Sequence, residues 1–282
     1  MGKPNSSDCL TLDISSGQWE RGSFTNGLLG DAVQGIINLE GEGVVAVHST
    51  SILFLATGSK SWVAGPSFVL PAVCGCNISR TSFVTIHMND TNNIREYVVS
   101  QNKFQPEVID LWPSLLTKRH GPGCGATSYN FVVAGGVSEW DEVLSSVEIF
   151  NIQKRSLRQG GHMRLARAYF QIIPVGSKNP RLLAVGGRNS RSTLSTSEWW
   201  EEEGDLWQEG PSLSTGRSNF AAVMAPPNLV CPEIEPLTQS CPAHDDSVAI
   251  CVVSWNGQCV KDSSSRLLPK NLGHTSDNTP AR

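Results

Sequence analysis

Residues 131–136 read Phe-Val-Val-Ala-Gly-Gly, and residues 181–187 read Arg-Leu-Leu-Ala-Val-Gly-Gly. Each is a short apolar run stopped by paired glycines, which reads as a buried strand closed by a turn signal. Working outward, each is followed by a longer unit, Leu144–Leu157 in one case and Leu194–Trp207 in the other, and these align without a gap. From the second glycine to the last residue of that unit is 21 residues in one copy and 20 in the other. Ser49–Trp62 and Ser6–Trp19 fall in the same register. Each copy has a short strand, a polar turn built from Gly, Lys, Asp or Ser, and a second strand ending at a large apolar residue, the signature of a hairpin. The closing positions Trp19, Trp62, Trp112, Leu157 and Trp207 are spaced by 43, 50, 45 and 50 residues. Beyond them a basic residue precedes an aromatic: Arg119-His120 before Tyr129, Arg167 before Tyr169, Arg217 before Phe220.

The order of apolar strand, double glycine, variable loop, aromatic-bearing strand and spaced Trp resembles the kelch repeat. That resemblance implies an all-β chain folded as a kelch-type β-propeller, in which a period near 50 residues corresponds to one four-stranded blade. It is most specific over residues 117–225, where both glycine pairs occur, and weaker over 23–116, where Val45–Ser49 and Phe83–His87 lack them. The Trp140-Asp141 pair follows the glycines instead of closing a strand, which sets a WD40 reading aside. The physical logic is that a short four-stranded sheet has two apolar faces and cannot bury both alone. Stacking sheets radially buries each face against a neighbour.

The units are expected at 23–66, 67–116, 117–163 and 164–214, with an N-terminal outer strand pair in 1–22 and closing inner strands in 215–258. If those two ends share one blade, a single propeller spans 1–258 with about five blades. A truncated six-bladed ring, a fragment of a larger kelch protein, is the alternative. Residues 259–282 are polar and aperiodic and are expected to form a disordered tail.

Composition narrows the functions. Of 282 residues 17% are charged, and the formal net charge is −4. That balance argues against nucleic-acid binding driven by phosphate neutralisation. The longest apolar run, Val248–Val253, is far too short to span a bilayer. Eight cysteines, half of them after residue 230, suit cross-linking where core is scarce. Ring closure would place Cys9 opposite Cys251, and Cys231 and Cys241 are further disulfide candidates. Cys9, Cys74 and Cys124 read equally well as small buried apolar residues. Sequons stand at Asn5, Asn77 and Asn89. Cysteine usage and sequons favour a secreted or luminal glycoprotein, while the lack of an apolar leader at Met1–Ser7 favours the cytoplasm.

No catalytic constellation stands out. Cys-x2-Cys pairs are absent, so no zinc site is expected, and no cofactor is assigned. A galactose-oxidase-like copper site needs converging His and Tyr. Only His120 and His162 fall at connections that reach one face, while Tyr97, Tyr129 and Tyr169 fall on strands. A sialidase-like turn is echoed once, at Asp13–Trp19, and does not recur. The favoured expectation is a non-catalytic module that recognises a protein or peptide, or a glycan, through loops on one face. A carbohydrate-active propeller enzyme is the alternative. The candidate binding residues are Arg119, His120, Trp140, Arg167, Arg188, Arg191 and Arg217. The arginines have two readings: holding acidic groups of a partner, or bracing backbone carbonyls of the blades. Trp200 aligns with Phe150 and is expected in the core, with Trp199 on the opposite strand face.

Overall fold

The computed structural model describes residues 8–13, 18–23, 33–39, 41–48, 50–59, 62–67, 71–87, 93–100, 103–109, 112–176, 181–224, 250–253 and 259–261. Among these there is no helix. Two strands, β1 (Asp8–Asp13) and β2 (Gln18–Ser23), make a hairpin of their own. The first four-stranded sheet is β3 (Val33–Leu39), β4 (Gly43–His48), β5 (Ser51–Ala56) and β6 (Val63–Ser67). The second is β7 (Ala72–Asn77), β8 (Ser82–His87), β9 (Ile94–Ser100) and β10 (Lys103–Ile109). The third is β11 (Gly123–Ala126), β12 (Asn130–Ala134), β13 (Val147–Asn151) and β14 (Ser156–Gly160). The fourth is β15 (Gln171–Val175), β16 (Arg181–Val185), β17 (Ser197–Glu201) and β18 (Leu206–Glu209). A three-stranded sheet follows, β19 (Ala221–Met224), β20 (Ile250–Val253) and β21 (Cys259–Lys261).

Every pairing is antiparallel between sequence neighbours, so each four-stranded sheet is a meander. The first strands β3, β7, β11, β15 and β19 pack against one another in series. These are the inner strands of successive blades, and the arrangement is a β-propeller.

The core lies in the seams. Each strand alternates its side chains between faces, so one strand feeds two seams. On β12, Phe131 and Val133 join the cluster shared with the second blade, and Val132 and Ala134 join the cluster shared with the fourth. On β16, Leu182 and Ala184 face back, while Leu183 and Val185 face forward towards Ala222. This explains the unbroken apolar runs: strands buried on both faces have no polar alternation to show. Trp112 is buried edge-on against Phe131 and Phe150, whose rings stack at 4.4 Å, and so closes the seam between the second and third blades. Trp207 is buried in the next seam. Trp200 is fully buried, and Trp199 lies on the other face under Arg181.

Glycine pairs end β12 and β16 for a steric reason. Gly135 and Gly186 have φ near +60°, and Gly136 and Gly187 near +95°. A Cβ on Gly135 would sit 2.2 Å from the Arg167 carbonyl oxygen, and one on Gly186 2.7 Å from that of Arg217. The next blade's backbone passes against the turn, and only glycine admits it.

Two expectations need correction. Complete four-stranded blades number four among the described residues, not five. The sheet that follows them takes its third strand from Cys259–Lys261, inside the segment expected to be a tail, and not from the N-terminal pair. A short hairpin connection closes at far lower entropic cost than a pairing across more than 200 residues. The β1–β2 hairpin stands as a separate sheet, so Cys9 and Cys251 lie on different sheets; their side chains are outside the described residues, as are Cys231 and Cys241.

Cys74 on β7 and Cys124 on β11, which also read as small buried apolar residues, form a disulfide with Cα atoms 6.1 Å apart. Gly75 between Cys74 and Cys76 abuts Ile37 and Val47 of the first blade, so the two flanking cysteines face the third. Cys76 is buried and unbridged, and burial pushes its thiol up to about 12. Asn77 ends β7 and is half-buried, whereas Asn5 and Asn89 lie outside the described residues.

Candidate functional site: the loop face

The connection into each inner strand and the loop after each glycine pair lie together on one face. His120 N–H donates to the Val137 carbonyl and Val137 N–H returns the bond; Ala168 and Arg188 repeat the exchange one blade on. This face carries all seven candidate residues, and they divide sharply.

Arg119 and Arg167 are 1% and 0% exposed. Arg119 Nη1 donates to the carbonyls of Gly135 (2.8 Å) and Ser146 (3.0 Å), and Nη2 to Glu148 Oε1 at 2.7 Å. Arg167 does the same to Gly186 (2.8 Å), Thr196 (3.0 Å) and Glu198 Oε1 (2.6 Å). Burial lowers both guanidinium pKa values, and the facing glutamates oppose that shift. These two arginines therefore brace their own blades, the second of their two sequence readings. The Nη donors go to carbonyls, a hydroxyl and a carboxylate that no partner can reach, while Arg167 Nε is buried without a hydrogen bond among the described residues.

The glutamates do a second job. Glu148 accepts the N–H groups of Leu116 (2.7 Å) and Thr117 (3.1 Å), and Glu198 those of Arg164 (2.7 Å) and Leu165 (3.0 Å). Each fixes the loop that enters its blade. Glu148 carries no expectation from the sequence, and by charge the glutamates of Glu198–Glu203 read as a solvated turn. Glu198 is instead a strand residue 2% exposed, in the same aligned slot as Glu148, because Arg167 and the loop N–H groups satisfy its carboxylate.

The exposed members are positioned by rigid turns. Ser138 N–H donates to the Glu142 carbonyl (2.9 Å), and Ser138 Oγ accepts the N–H groups of Trp140 and Glu142 (3.2 Å each). The turn leaves the Trp140 side chain in solvent, with the residue 79% exposed. Across a shallow groove of about 330 Å³ stands Leu116, 63% exposed, which sequence reasoning also missed. Ser114–Lys118 and Ser138–Trp140 line this groove. Lys118 and Glu139 bridge its rim at 3.7 Å, and both are solvent-exposed.

Arg188 is exposed, with its guanidinium 4.9 Å above the Tyr169 ring. Arg191 is exposed on a turn held by Asn189 Oδ1, which accepts the N–H groups of Arg191 and Ser192. His120 and Arg217 are half-buried.

The tyrosines do not converge. Tyr97 is stacked on Phe83 inside a seam, Tyr129 is exposed on the opposite face, and Tyr169 sits beneath Arg188. His162 Nδ1 is 3.2 Å from Ser145 Oγ. No group of three His, Cys, Asp or Glu among the described residues is arranged to hold a metal.

No family model matches the chain. The chain is 28% identical over 94 residues to Kelch repeat-containing protein kel-10 of Caenorhabditis elegans, a match covering 33% of this chain and 16% of that protein. That match and the four meander sheets set radially around their inner strands fit a kelch-type β-propeller.

Proposed function

We propose that the chain is a non-catalytic recognition module whose loop face docks a protein or peptide. The observation that carries this is Trp140: a large aromatic held in solvent by a closed turn, facing exposed Leu116 across a groove. Burying such side chains is worth about 1.5–3 kcal/mol each, and a folded chain gains nothing by exposing them. Loops fixed to a rigid scaffold are where recognition concentrates, and Trp anchors dominate interface energetics. The Lys118–Glu139 pair is exposed and worth under about 1 kcal/mol, so an incoming partner can part it cheaply. The inter-blade disulfide supports an oxidising, secreted or luminal compartment.

The test is Trp140→Ala. Because the side chain touches little of its own fold, the melting temperature should stay within about 1 °C of wild type. Proteins captured by wild type should be lost with the variant, and a purified partner should bind it at least tenfold more weakly by calorimetry. A melting point several degrees lower, or an unchanged set of captured proteins, would overturn this reading.

A further inference from the structure

Three arginines stand five residues before the same position of three successive inner strands: Arg119 before Cys124, Arg167 before Ile172, Arg217 before Ala222. Register carries that position outward. Cys124 pairs with Val133, and Val133 with Glu148. Ile172 pairs with Ala184, and Ala184 with Glu198. In the three-stranded sheet Ala222 pairs with Val252, and Val252 with Val260. The place filled by a buried glutamate in two blades is therefore a valine position in the next sheet.

The backbone at Arg217 nonetheless repeats that at Arg167. Arg167 N–H donates to the Leu144 carbonyl at 3.2 Å, and its own carbonyl accepts Gly136 N–H at 2.9 Å. Arg217 N–H donates to the Leu194 carbonyl at 3.0 Å, and its carbonyl accepts Gly187 N–H at 2.7 Å. The main chain starts the third guanidinium from the same anchor. Arg119 and Arg167 are buried on their glutamates, whereas Arg217 is half-exposed and meets no carboxylate among the described residues. Arg188, which directly follows Gly187, is stacked on Tyr169 and is likewise free of an ion pair among the described residues.

We infer that Arg217, flanked by Arg188, is a carboxylate-binding site on the loop face, filled by an acidic side chain or terminal carboxylate of a partner polypeptide. This rests on the reading of that face as the recognition face. The guanidinium is a planar fork of donors matched to a carboxylate, and a charge-assisted pair of this kind is among the stronger hydrogen bonds. Partial exposure lets the carboxylate arrive from solvent. Arg188 adds a second positive charge whose orientation the Tyr169 ring restrains.

The test offers a carboxylate both from solution and at register position 260. The probe is fluorescein-labelled tetraglutamate, followed by fluorescence anisotropy at low salt, with tetralysine as the charge control and sodium glutarate as competitor. Tetraglutamate should bind wild type and bind Arg217→Ala and Val260→Glu at least tenfold more weakly. Arg188→Ala should weaken it less, and Tyr129→Ala, on the opposite face, should leave it unchanged; the Trp140→Ala capture experiment tests the groove separately. Displacement by millimolar glutarate shows that a single small carboxylate suffices, while tetraglutamate binding that resists glutarate points to a polypeptide with several acidic groups. Equal affinity in wild type and Arg217→Ala would overturn the inference. So would a melting temperature for Arg217→Ala as low as that of Glu198→Ala, since Arg217 would then be braced by the protein's own carboxylate. Arg217→Lys, which keeps the charge and loses the fork, serves if Val260→Glu does not fold.

Discussion

Glu198 shows how one side chain can organise a blade. It neutralises a fully buried arginine and accepts two N–H groups from the connecting loop. Such a pair returns little net stability, because two ions must be stripped of water, but removing one partner strands the other. Glu198→Ala should therefore cost about 3–5 kcal/mol by urea denaturation. Arg167→Met with Glu198→Leu should recover a large part of that loss.

Asp205 holds a different junction. Its Oδ2 accepts Arg158 Nη1 (2.6 Å) and Gly161 N–H (3.0 Å) from the third blade, while Oδ1 accepts Trp200 Nε1 (2.9 Å) of its own. Burial pushes its pKa up, but the bonds from Arg158, Trp200 and Gly161 outweigh that and hold the carboxyl below the ordinary 3.8. A carboxyl depressed in the folded state stabilises above its unfolded pKa, and that stabilisation fades as pH falls through the folded value. The melting-temperature gap between wild type and Asp205→Asn should thus be widest at neutral pH and should shrink below about pH 4. A gap independent of pH would show that the charge contributes nothing.

At the scale of elements, the alternation on β7 decides the covalent link. Cys74 and Cys76 share a face towards β11, and Cys74 reaches Cys124. The bridge closes a loop with a sequence separation of 50 residues, for which chain entropy gives about 4 kcal/mol. Cys124→Ser, or wild type in dithiothreitol, should lose up to about that amount in urea denaturation. Cys76, buried with a thiol raised to about 12, should resist iodoacetamide in the native protein, as peptide mass spectrometry would show. The same scale explains the turn that holds Trp140. Ser138 closes it through both backbone and hydroxyl, so the backbone of the proposed anchor would need no ordering on contact with a partner.

For the whole molecule, each seam cluster draws on two neighbouring sheets, so stability accrues by nearest-neighbour contacts around the series of inner strands. The blade architecture was legible because it is written as local periodicity: apolar runs, glycine pairs and closing aromatics at regular spacing. Blade count was less legible, since which strand completes a sheet depends on competing pairings. The candidate site was half legible. Trp140 was readable as a polar-flanked aromatic in a loop. The split between Arg119 and Arg167 on one side and Arg188, Arg191 and Arg217 on the other was not, because all five appear as basic residues near a glycine pair or an inner strand.

The chain alone determined the propeller class, the burial of Trp200 and the loop position of Trp140, since strand periodicity and glycine sterics act within a few residues. Only the tertiary structure decided the Cys74–Cys124 link, the burial of Arg119 and Arg167 on Glu148 and Glu198, and the partial exposure of Arg217. Each of those depends on which residue stands opposite across a sheet or a seam, 29 to 50 positions away in sequence for the pairs that formed. Distances of that order are set by packing, and no local pattern encodes them.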